Sequence, residues 1–218
     1  NIGLPAILKT TEDGYDGKGQ FLIKSESQID EAWEAMSGRE AILEGFIDFK
    51  RELSLVAVRG TDGSLKYYPL AENSHHEGIL RLTVAPAQEI SESLQKKAES
   101  YMISLLTDIN HVGVLTLELF DSDDELIVNE IAPRVHNSGH WTIEGAQTSQ
   151  FENHIRAITN TPLGDTSIKS QFNAMINIIG KYGPTNKVLE TRNAHLHLYD
   201  KKERKNRKLG HITITSNS

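Results

Sequence analysis

The stretch that most constrains this chain runs over residues 118–141 and reads ELFDSDDELIVNEIAPRVHNSGHW. Apolar and polar residues alternate over residues 114–120 and again over residues 126–131, with Ser122-Asp123-Asp124 between them. Alternation on both sides of turn-forming residues is typical of an antiparallel hairpin. The pattern therefore predicts two antiparallel strands joined by a short turn.

Two glutamates of this hairpin indicate a metal site. If the turn centres on Asp124, Glu118 and Glu130 lie opposite each other on one face. Opposed residues lie about 4.5–5.5 Å apart at Cβ, and like charges there are destabilising unless a cation lies between them. Mg²⁺ is normally held by one or two carboxylates, with substrate phosphates and water completing its shell. We predict Mg²⁺, with Mn²⁺ as an alternative, on these two residues. The other interpretation is a solvated hairpin with two surface glutamates.

Reactive side chains continue beyond the second strand, over residues 129–141. Within these positions the chain offers a carboxylate, a permanently charged arginine, two histidines, and amide and hydroxyl donors, together with a proline and a glycine that fix its path. Loops that follow strands often carry functional residues. The run therefore predicts an active site.

Composition bounds the remaining possibilities. The chain has 218 residues, 38% of them hydrophobic, which is enough for one or two domains with cores. Its 23 basic against 30 acidic side chains argue against a general nucleic-acid surface. No run approaches membrane-spanning length. The absence of cysteine excludes disulfides, thiolate catalysis and cysteine-ligated zinc. We expect no nucleic-acid or membrane partner and, since no secretory signal peptide is visible, a cytoplasmic protein.

Periodicity predicts the other elements. Strands are expected at residues 4–10, 21–24, 41–46, 52–58, 65–70, 78–84, 172–179, 194–199 and 211–215, and helices at residues 26–36, 91–109 and 149–158. Trp33 and Ile109 fall on apolar helical stripes and are expected in the core. His195 and His197 share a strand face without a third metal ligand nearby, so we interpret them as packing or surface residues.

A glycine-rich segment near the N terminus, DGYDGKGQ at residues 13–20, is a phosphate-binding candidate. Its three glycines allow backbone amides to approach an anion closely, and Lys9 and Lys18 add positive charge. The spacing is neither G-x-G-x-x-G nor a Walker A loop, so an ordinary hairpin is the alternative.

The motifs LELF…NEIAPRVHNSGHWT and GYDGKGQ together resemble one family of ATP-grasp enzymes, the 5-(carboxyamino)imidazole ribonucleotide synthetases, which are also called ATPase subunits of phosphoribosylaminoimidazole carboxylase. The resemblance runs through most of the chain and departs at Asp13, where the family has glycine. It implies an α+β fold. An ATP-grasp region would occupy residues 1–163, with a small lobe at about 1–43 and a large lobe at about 44–163, followed by a β-rich domain at 164–218.

The resemblance also implies an activity. ATP would phosphorylate bicarbonate to carboxyphosphate, and the amine of 5-aminoimidazole ribonucleotide would capture the carboxyl group in de novo purine synthesis. Family members begin with a Rossmann-like domain of about one hundred residues, a typical domain size, which we expect to be absent here. We also expect a homodimer. Two alternatives stay open: another ATP-grasp carboxylate–amine ligase, such as a formate-using glycinamide ribonucleotide transformylase, or a non-catalytic nucleotide-binding module.

Site residues follow from the same resemblance. ATP contacts are implied at Lys9, Gly14, Tyr15, Asp16, Gly17, Lys18, Gly19, Gln20, Glu44, Gly45, Phe46, Ile47, Glu52, His75, Asn129 and Glu130. Arg134 would hold bicarbonate and carboxyphosphate in its planar fork, and His136 would act as acid and base. Contacts to the ribotide or bicarbonate are implied at Tyr15, Asp16, Asn137, Ser138, Lys201, Arg204, Arg207 and Lys208.

The last four of these residues belong to a basic run at residues 201–208, KKERKNRK, with six cations in eight positions. The family has Y-x-K-x-x-R-x-x-R-K-x-G-H here, and this chain has Lys205-Asn206 where Pro-Gly is common. A solvated hairpin tip is the alternative interpretation.

Overall fold

The computed structural model describes residues 2–12, 19–122 and 125–217. The chain divides into two compact units. The first comprises Asn1–Asp48 and His75–Ile79, and the second comprises Phe49–Ser74 and Leu80–Ser218. The expected ATP contacts Gly14, Tyr15, Asp16, Gly17 and Lys18 lie outside the described residues.

The first unit contains a three-stranded sheet with its first strand in the centre. Its elements are β1 (Ala6–Thr10), β2 (Gln20–Ile23), a 3-10 turn (Glu26–Gln28), α1 (Ile29–Met36) and β3 (Ala41–Gly45). Strand β1 pairs antiparallel with both β2 and β3. In α1 only Ala32 and Met36 are buried. The prediction that Trp33 lies in the core is wrong, because Trp33 is 60% exposed. This short helix buries only one residue in each turn, so its buried stripe is too narrow to include Trp33.

The second unit is built on a nine-stranded sheet. Its strands are β4 (Arg51–Arg59), β5 (Leu65–Tyr67), β6 (Ala71–His76), β7 (Ile79–Ala85), β8 (Gly113–Ser122), β9 (Glu125–Ala132), β10 (Phe172–Ile179), β11 (Ala194–Leu198) and β12 (Lys208–Ser216). Their order is β11-β12-β10-β7-β6-β4-β8-β9, and β5 pairs with β4. The helices are α2 (Glu92–Asp108), α3 (Thr142–Gly145), α4 (Gln150–Ile158) and α5 (Thr185–Glu190).

Helix α2 is amphipathic and packs against one face of this sheet. Ser91 caps it by accepting a hydrogen bond from the backbone of Leu94. The buried stripe of the helix packs with alternate residues of the central strands, in a cluster that includes Leu53, Leu55, Ala57, Leu94, Ala98, Met102, Leu106, Leu115, Leu117 and Leu119. The predicted stripe extends one residue too far, since Ile109 is the C-cap and is 49% exposed.

The opposite face of the sheet is covered by the segment that follows β9 and by α4. Val56, Val58 and Val114 of this face pack in one cluster with Trp141 and Ala157. Trp141 is 1% exposed and meets the Tyr68 ring edge to face, with 6.3 Å between centroids. This cluster anchors the end of the reactive segment to the sheet.

The C-terminal strands continue the large sheet. Strand β10 pairs antiparallel with β7, and β12 pairs antiparallel with β10. The segment is rich in β-structure, as predicted, and the α+β class is confirmed, whereas the domain boundaries at residues 43 and 163 stay predictions. In the described ranges no helix is long and apolar enough to span a membrane.

Candidate active site

The predicted opposition of Glu118 and Glu130 is confirmed: the two residues are partners in the β8–β9 pairing. The predicted turn centre is not what aligns them. Ser122 pairs with Glu125 and Leu119 with Val128, and the register then shifts by one residue. Asn129 is therefore the extra residue of a β-bulge, the kind of irregularity that redirects side chains beside functional sites.

A third carboxylate lies on the same face. Ser54 of β4 is the partner of Glu118, and Glu52 is the partner of Phe120. Directly paired residues share a face and side chains alternate along a strand. Glu52, Glu118 and Glu130 therefore all lie on the face that also carries Val56 and Trp141.

The donor set suits Mg²⁺. In the described part of the chain no group of three His, Cys, Asp or Glu side chains could hold a metal by itself. A site with one or two carboxylates, completed by substrate phosphates and water, is the usual protein site for Mg²⁺. Glu118 and Glu130 fit that description, because they are opposed on one face and provide hard oxygen ligands.

The ring of His136 contacts the first of these carboxylates. Its Nε2 lies 3.3 Å from Oε1 of Glu118, and its Nδ1 lies 2.8 Å from Oγ of Ser138. The Ser138 backbone N–H donates to Nδ1 at 3.4 Å, so Nδ1 is an acceptor and the proton of the neutral ring is on Nε2, towards Glu118. Nδ1 can then also accept from the Ser138 hydroxyl. His136 thereby caps the 3-10 turn Asn137–Gly139 with its own ring.

Arg134 is an exposed cationic group of this segment. Its side chain is exposed, its backbone N–H donates to the Ala132 carbonyl, and Nη1 donates to the Val135 carbonyl at 3.1 Å. A guanidinium has five N–H donors in a planar fork. Most of the fork therefore remains available for a planar oxyanion.

Asn137 and Ser138, the next two expected substrate contacts, form hydrogen bonds with other residues of the protein. The amides of Asn137 and Asn177 form a reciprocal pair, with Nδ2-to-Oδ1 distances of 2.9 and 2.6 Å. Asn177 also donates to the Leu80 carbonyl at 3.0 Å. Ser138 is fully buried, and its hydroxyl holds His136 as described. Their predicted role in binding substrate stays a prediction, and the structure assigns both residues a part in holding the segment.

Four of the expected ATP contacts, Lys9, Gln20, Glu44 and Gly45, lie on the three-stranded sheet of the first unit. Lys9 on β1 forms an ion pair with Glu44 on β3, with 2.6 Å between Nζ and Oε2. Gly19 and Gln20 lie at the beginning of β2, and Gly45 ends β3. The Phe46 N–H donates to the Pro5 carbonyl at 3.2 Å; Ile47 follows it, and His75 lies on β6. The ion pair orients the Lys9 ammonium.

The basic run forms the connection between β11 and β12, as predicted for a hairpin. Lys201 and Arg204 are exposed, and Arg207 and Lys208 are half-buried. Tyr182 fixes the loop by donating from its hydroxyl to the Lys201 carbonyl at 2.6 Å. Tyr182 therefore holds the connection in place, while the side chains of Lys201 and Arg204 are exposed to solvent.

A cluster of aromatic and imidazole rings lies beneath this connection. His197 stacks on His211 with 4.4 Å between centroids, and its Nε2 lies 2.7 Å from Glu144, so its predicted packing role is confirmed. Tyr199 is hydrogen-bonded to His211 Nδ1 at 2.7 Å. Burial lowers the pKa of His140 to about 4 and that of His211 to about 3, and it raises the pKa of Tyr199 to about 12. His140, His211 and Tyr199 are therefore uncharged at neutral pH.

Two residues that support the site were not found from the sequence, namely Gln150 and Asn177. Both are buried amides. Near Gln150 the sequence predicted only the beginning of a helix at residue 149. In the structure the Ser149 side chain accepts a hydrogen bond from the Glu152 backbone N–H. Asn177 lies in an apolar strand pattern that offers no local sign of its partner.

The chain is similar to known proteins over nearly its whole length. Residues 1–151 match the model of the ATP-grasp domain, and residues 173–218 match that of the phosphoribosylaminoimidazole carboxylase C-terminal domain. The chain is 49% identical over 213 residues to N5-carboxyaminoimidazole ribonucleotide synthase of Pseudomonas aeruginosa, covering 98% of this chain and 58% of that protein. With the Escherichia coli synthase it shares 42% identity over 214 residues, 98% of this chain and 59% of that one.

Solved structures show the same fold. The N5-carboxyaminoimidazole ribonucleotide synthetase from Thermus thermophilus has a TM-score of 0.93 at 53% identity, covering 99% of this chain and 58% of that chain. The Aspergillus clavatus synthase, solved with ADP and 5-aminoimidazole ribonucleotide, has a TM-score of 0.91 at 35% identity, covering 100% and 59%. The chain thus spans about three fifths of these relatives. Because the ATP-grasp model matches most of its length, the chain belongs to the ATP-grasp family.

Proposed function

We propose that the full-length protein is an ATP-dependent ligase that carboxylates 5-aminoimidazole ribonucleotide with bicarbonate, giving N5-carboxyaminoimidazole ribonucleotide, ADP and phosphate in purine biosynthesis. The proposal rests on the functional groups of the β8–β9 hairpin and of the segment that follows β9. Glu118 is opposed to Glu130 in the hairpin. In the segment that follows, Arg134 is exposed and His136 contacts Glu118. The relatives that match almost the whole chain carry the name of this activity.

The first step is transfer of the ATP γ-phosphoryl group to a bicarbonate oxygen. Phosphoryl transfer depends on positioning and charge neutralisation more than on covalent chemistry. Lys9 and the glycine-rich loop would bind the phosphates, the 44–47 segment the adenine edge, and Glu52 the ribose hydroxyls. Mg²⁺ held by Glu118 and Glu130 would supply neutralisation of the phosphate charge when bound.

The second step joins the carboxyl carbon of carboxyphosphate to the amine of the ribotide. The new N–C bond forms, the C–O bond to phosphate breaks, and the amine nitrogen loses a proton. Arg134 holds the carbonate-like anion in its planar fork. His136 exchanges a proton with bicarbonate or with the attacking amine.

The ribotide phosphate does not react, so it requires only charge and hydrogen-bond donors. The exposed cations at Lys201 and Arg204, with Arg207 and Lys208, supply these in an otherwise acidic chain. A bound dianion would relieve the mutual repulsion of such a cluster. A homodimer and a cytoplasmic location remain predictions that accompany the proposed function.

The decisive experiment measures phosphate release by the full-length protein with ATP and Mg²⁺, with and without bicarbonate and the ribotide. We expect release that depends on bicarbonate, with carboxylated product when the ribotide is added. Release that requires formate and glycinamide ribonucleotide instead would identify a transformylase. ATP binding without any turnover would identify a non-catalytic nucleotide-binding module.

A further inference from the structure

The side chain of Gln150, the first residue of α4, is fully buried beneath the reactive segment. Its Oε1 accepts a hydrogen bond from the His136 backbone N–H at 3.0 Å. Its Nε2 donates to the His136 carbonyl at 2.6 Å and lies 3.1 Å from His140 Nδ1. One amide therefore satisfies both backbone groups of the residue that is proposed to move protons.

These contacts settle the orientation of the amide. A backbone N–H can only donate and a carbonyl can only accept, so the oxygen and nitrogen of Gln150 cannot be exchanged. The two contacts to the His136 main chain alone fix this orientation.

The base of the Gln150 side chain is itself rigid. Its backbone N–H donates to the Thr142 hydroxyl at 3.0 Å, and that hydroxyl donates to the Gly139 carbonyl at 2.6 Å. A Cβ added at Gly139 would approach Gln150 Oε1 to 2.6 Å, so only glycine permits this packing. Helix α4 is also tied to β8, because His154 Nδ1 accepts from the Val114 N–H at 3.0 Å.

We propose that Gln150 is a positioning residue whose amide clasps the main chain of His136 and thereby holds its imidazole against Glu118. The chain of contacts runs from β8 through α4 and Gln150 to His136, and returns to β8 at Glu118. A misplacement of a catalytic group by about 1 Å can cost roughly a hundredfold in rate. The role in carboxylation rests on the proposed function, whereas the clasp itself is a property of the fold.

The test replaces Gln150 by methionine, which has similar length and flexibility but no amide. In the full-length enzyme, Gln150→Met is expected to lower the yield of carboxylated product per ADP by roughly tenfold or more. The KM for ATP stays unchanged. In a His136→Ala background the same substitution has little further effect on this ratio, because it acts through His136. Independent, additive effects of the two substitutions would overturn the proposal.

A matched control is Asn153→Leu. Asn153 is an equally buried amide one turn further along α4, and it binds Tyr68 and Gly164 instead. It should destabilise the fold without changing the product per ADP. An equal change in that ratio for both variants would reduce Gln150 to a general structural role.

A second measurement needs no turnover. Hydrogen exchange of the His136 backbone N–H should be slow in the wild-type protein, because this N–H donates to the buried Oε1 of Gln150, and it should become faster in Gln150→Met but not in Asn153→Leu. Equal exchange rates in the wild type and Gln150→Met would refute the clasp. If exchange behaves as expected while the wild type shows no bicarbonate-dependent ADP formation, the clasp stands and the proposed function fails.

Discussion

Oε1 of Glu118 lies 3.3 Å from Nε2 of His136, so the carboxylate proposed to bind Mg²⁺ and the imidazole proposed to move protons touch each other. In the proposed reaction this contact would couple the two steps, because the same carboxylate would serve phosphoryl transfer and would orient the residue that acts afterwards.

Glu130→Gln should lower MgATP turnover by roughly a hundredfold or more, the size expected for one electrostatic group at such a site. The substitution removes a metal ligand with little change in shape, and Glu130 is exposed, so the fold should be unaffected. Steady-state ADP release over a range of Mg²⁺ concentrations checks this. Near-wild-type turnover would contradict the metal assignment, and Glu125→Gln, an exposed glutamate of the same strand, is the control.

Arg134→Ala should abolish the bicarbonate-stimulated part of the ATPase activity. In the proposed mechanism the guanidinium fork holds the acceptor anion, so the substitution would remove the phosphoryl acceptor while ATP binding persists. ADP release is measured with and without bicarbonate. Stimulation equal to that of the wild type would place the anion elsewhere.

His136→Ala should leave part of the ATP cleavage but uncouple it from carboxylation. In the proposed mechanism the residue exchanges protons after or alongside phosphoryl transfer, so ADP formation should continue while the amount of product falls. ADP and carboxylated product are quantified in the same reaction. A fall of both in strict proportion would show that the acid–base role is wrong.

Lys201→Ala or Lys208→Ala should raise the ribotide KM by roughly tenfold or more, as expected for charge-assisted hydrogen bonds of about 1.5–3 kcal/mol. A non-reacting phosphate makes similar contacts in ground and transition states, so kcat should change less. Added salt should weaken ribotide binding in the wild type more than in the variants, since screening acts only on charges that remain. Lys96→Ala, on α2 and paired with Glu92, is the control. An unchanged KM at low salt would leave the run as a solvated hairpin tip.

The buried imidazole of His211 predicts a loss of stability in acid. Burial lowers its pKa from 6.5 to about 3, so between these values the unfolded state binds a proton that the folded state does not. This contribution is complete above pH 6.5 and is lost as the pH falls toward 3. His211→Gln should therefore flatten the acid limb of the stability curve by up to about 1.4 kcal/mol per pH unit. Urea unfolding at several pH values checks this, and parallel curves for the two proteins would contradict it.

The sequence by itself determined the elements with strong local periodicity. Alternation with a period of two assigned Glu118 and Glu130 to one face of the hairpin, and that opposition is confirmed. Periodicity also predicted a helix at residues 149–158, and the structure has α4 at Gln150–Ile158. Such features depend on neighbours within a few residues, so they can be inferred from the chain alone.

Only the tertiary structure decided which apolar residues are covered and which polar residues support the site. Trp33 and Ile109 lie on predicted apolar stripes, yet both are largely exposed, because burial depends on whether another element packs there. The clasp of Gln150 on His136 joins residues 14 positions apart, and the amide pair of Asn137 and Asn177 joins residues 40 apart. These contacts form only when strands and helices far apart in the chain pack together, and no local pattern of residue types encodes such a pairing.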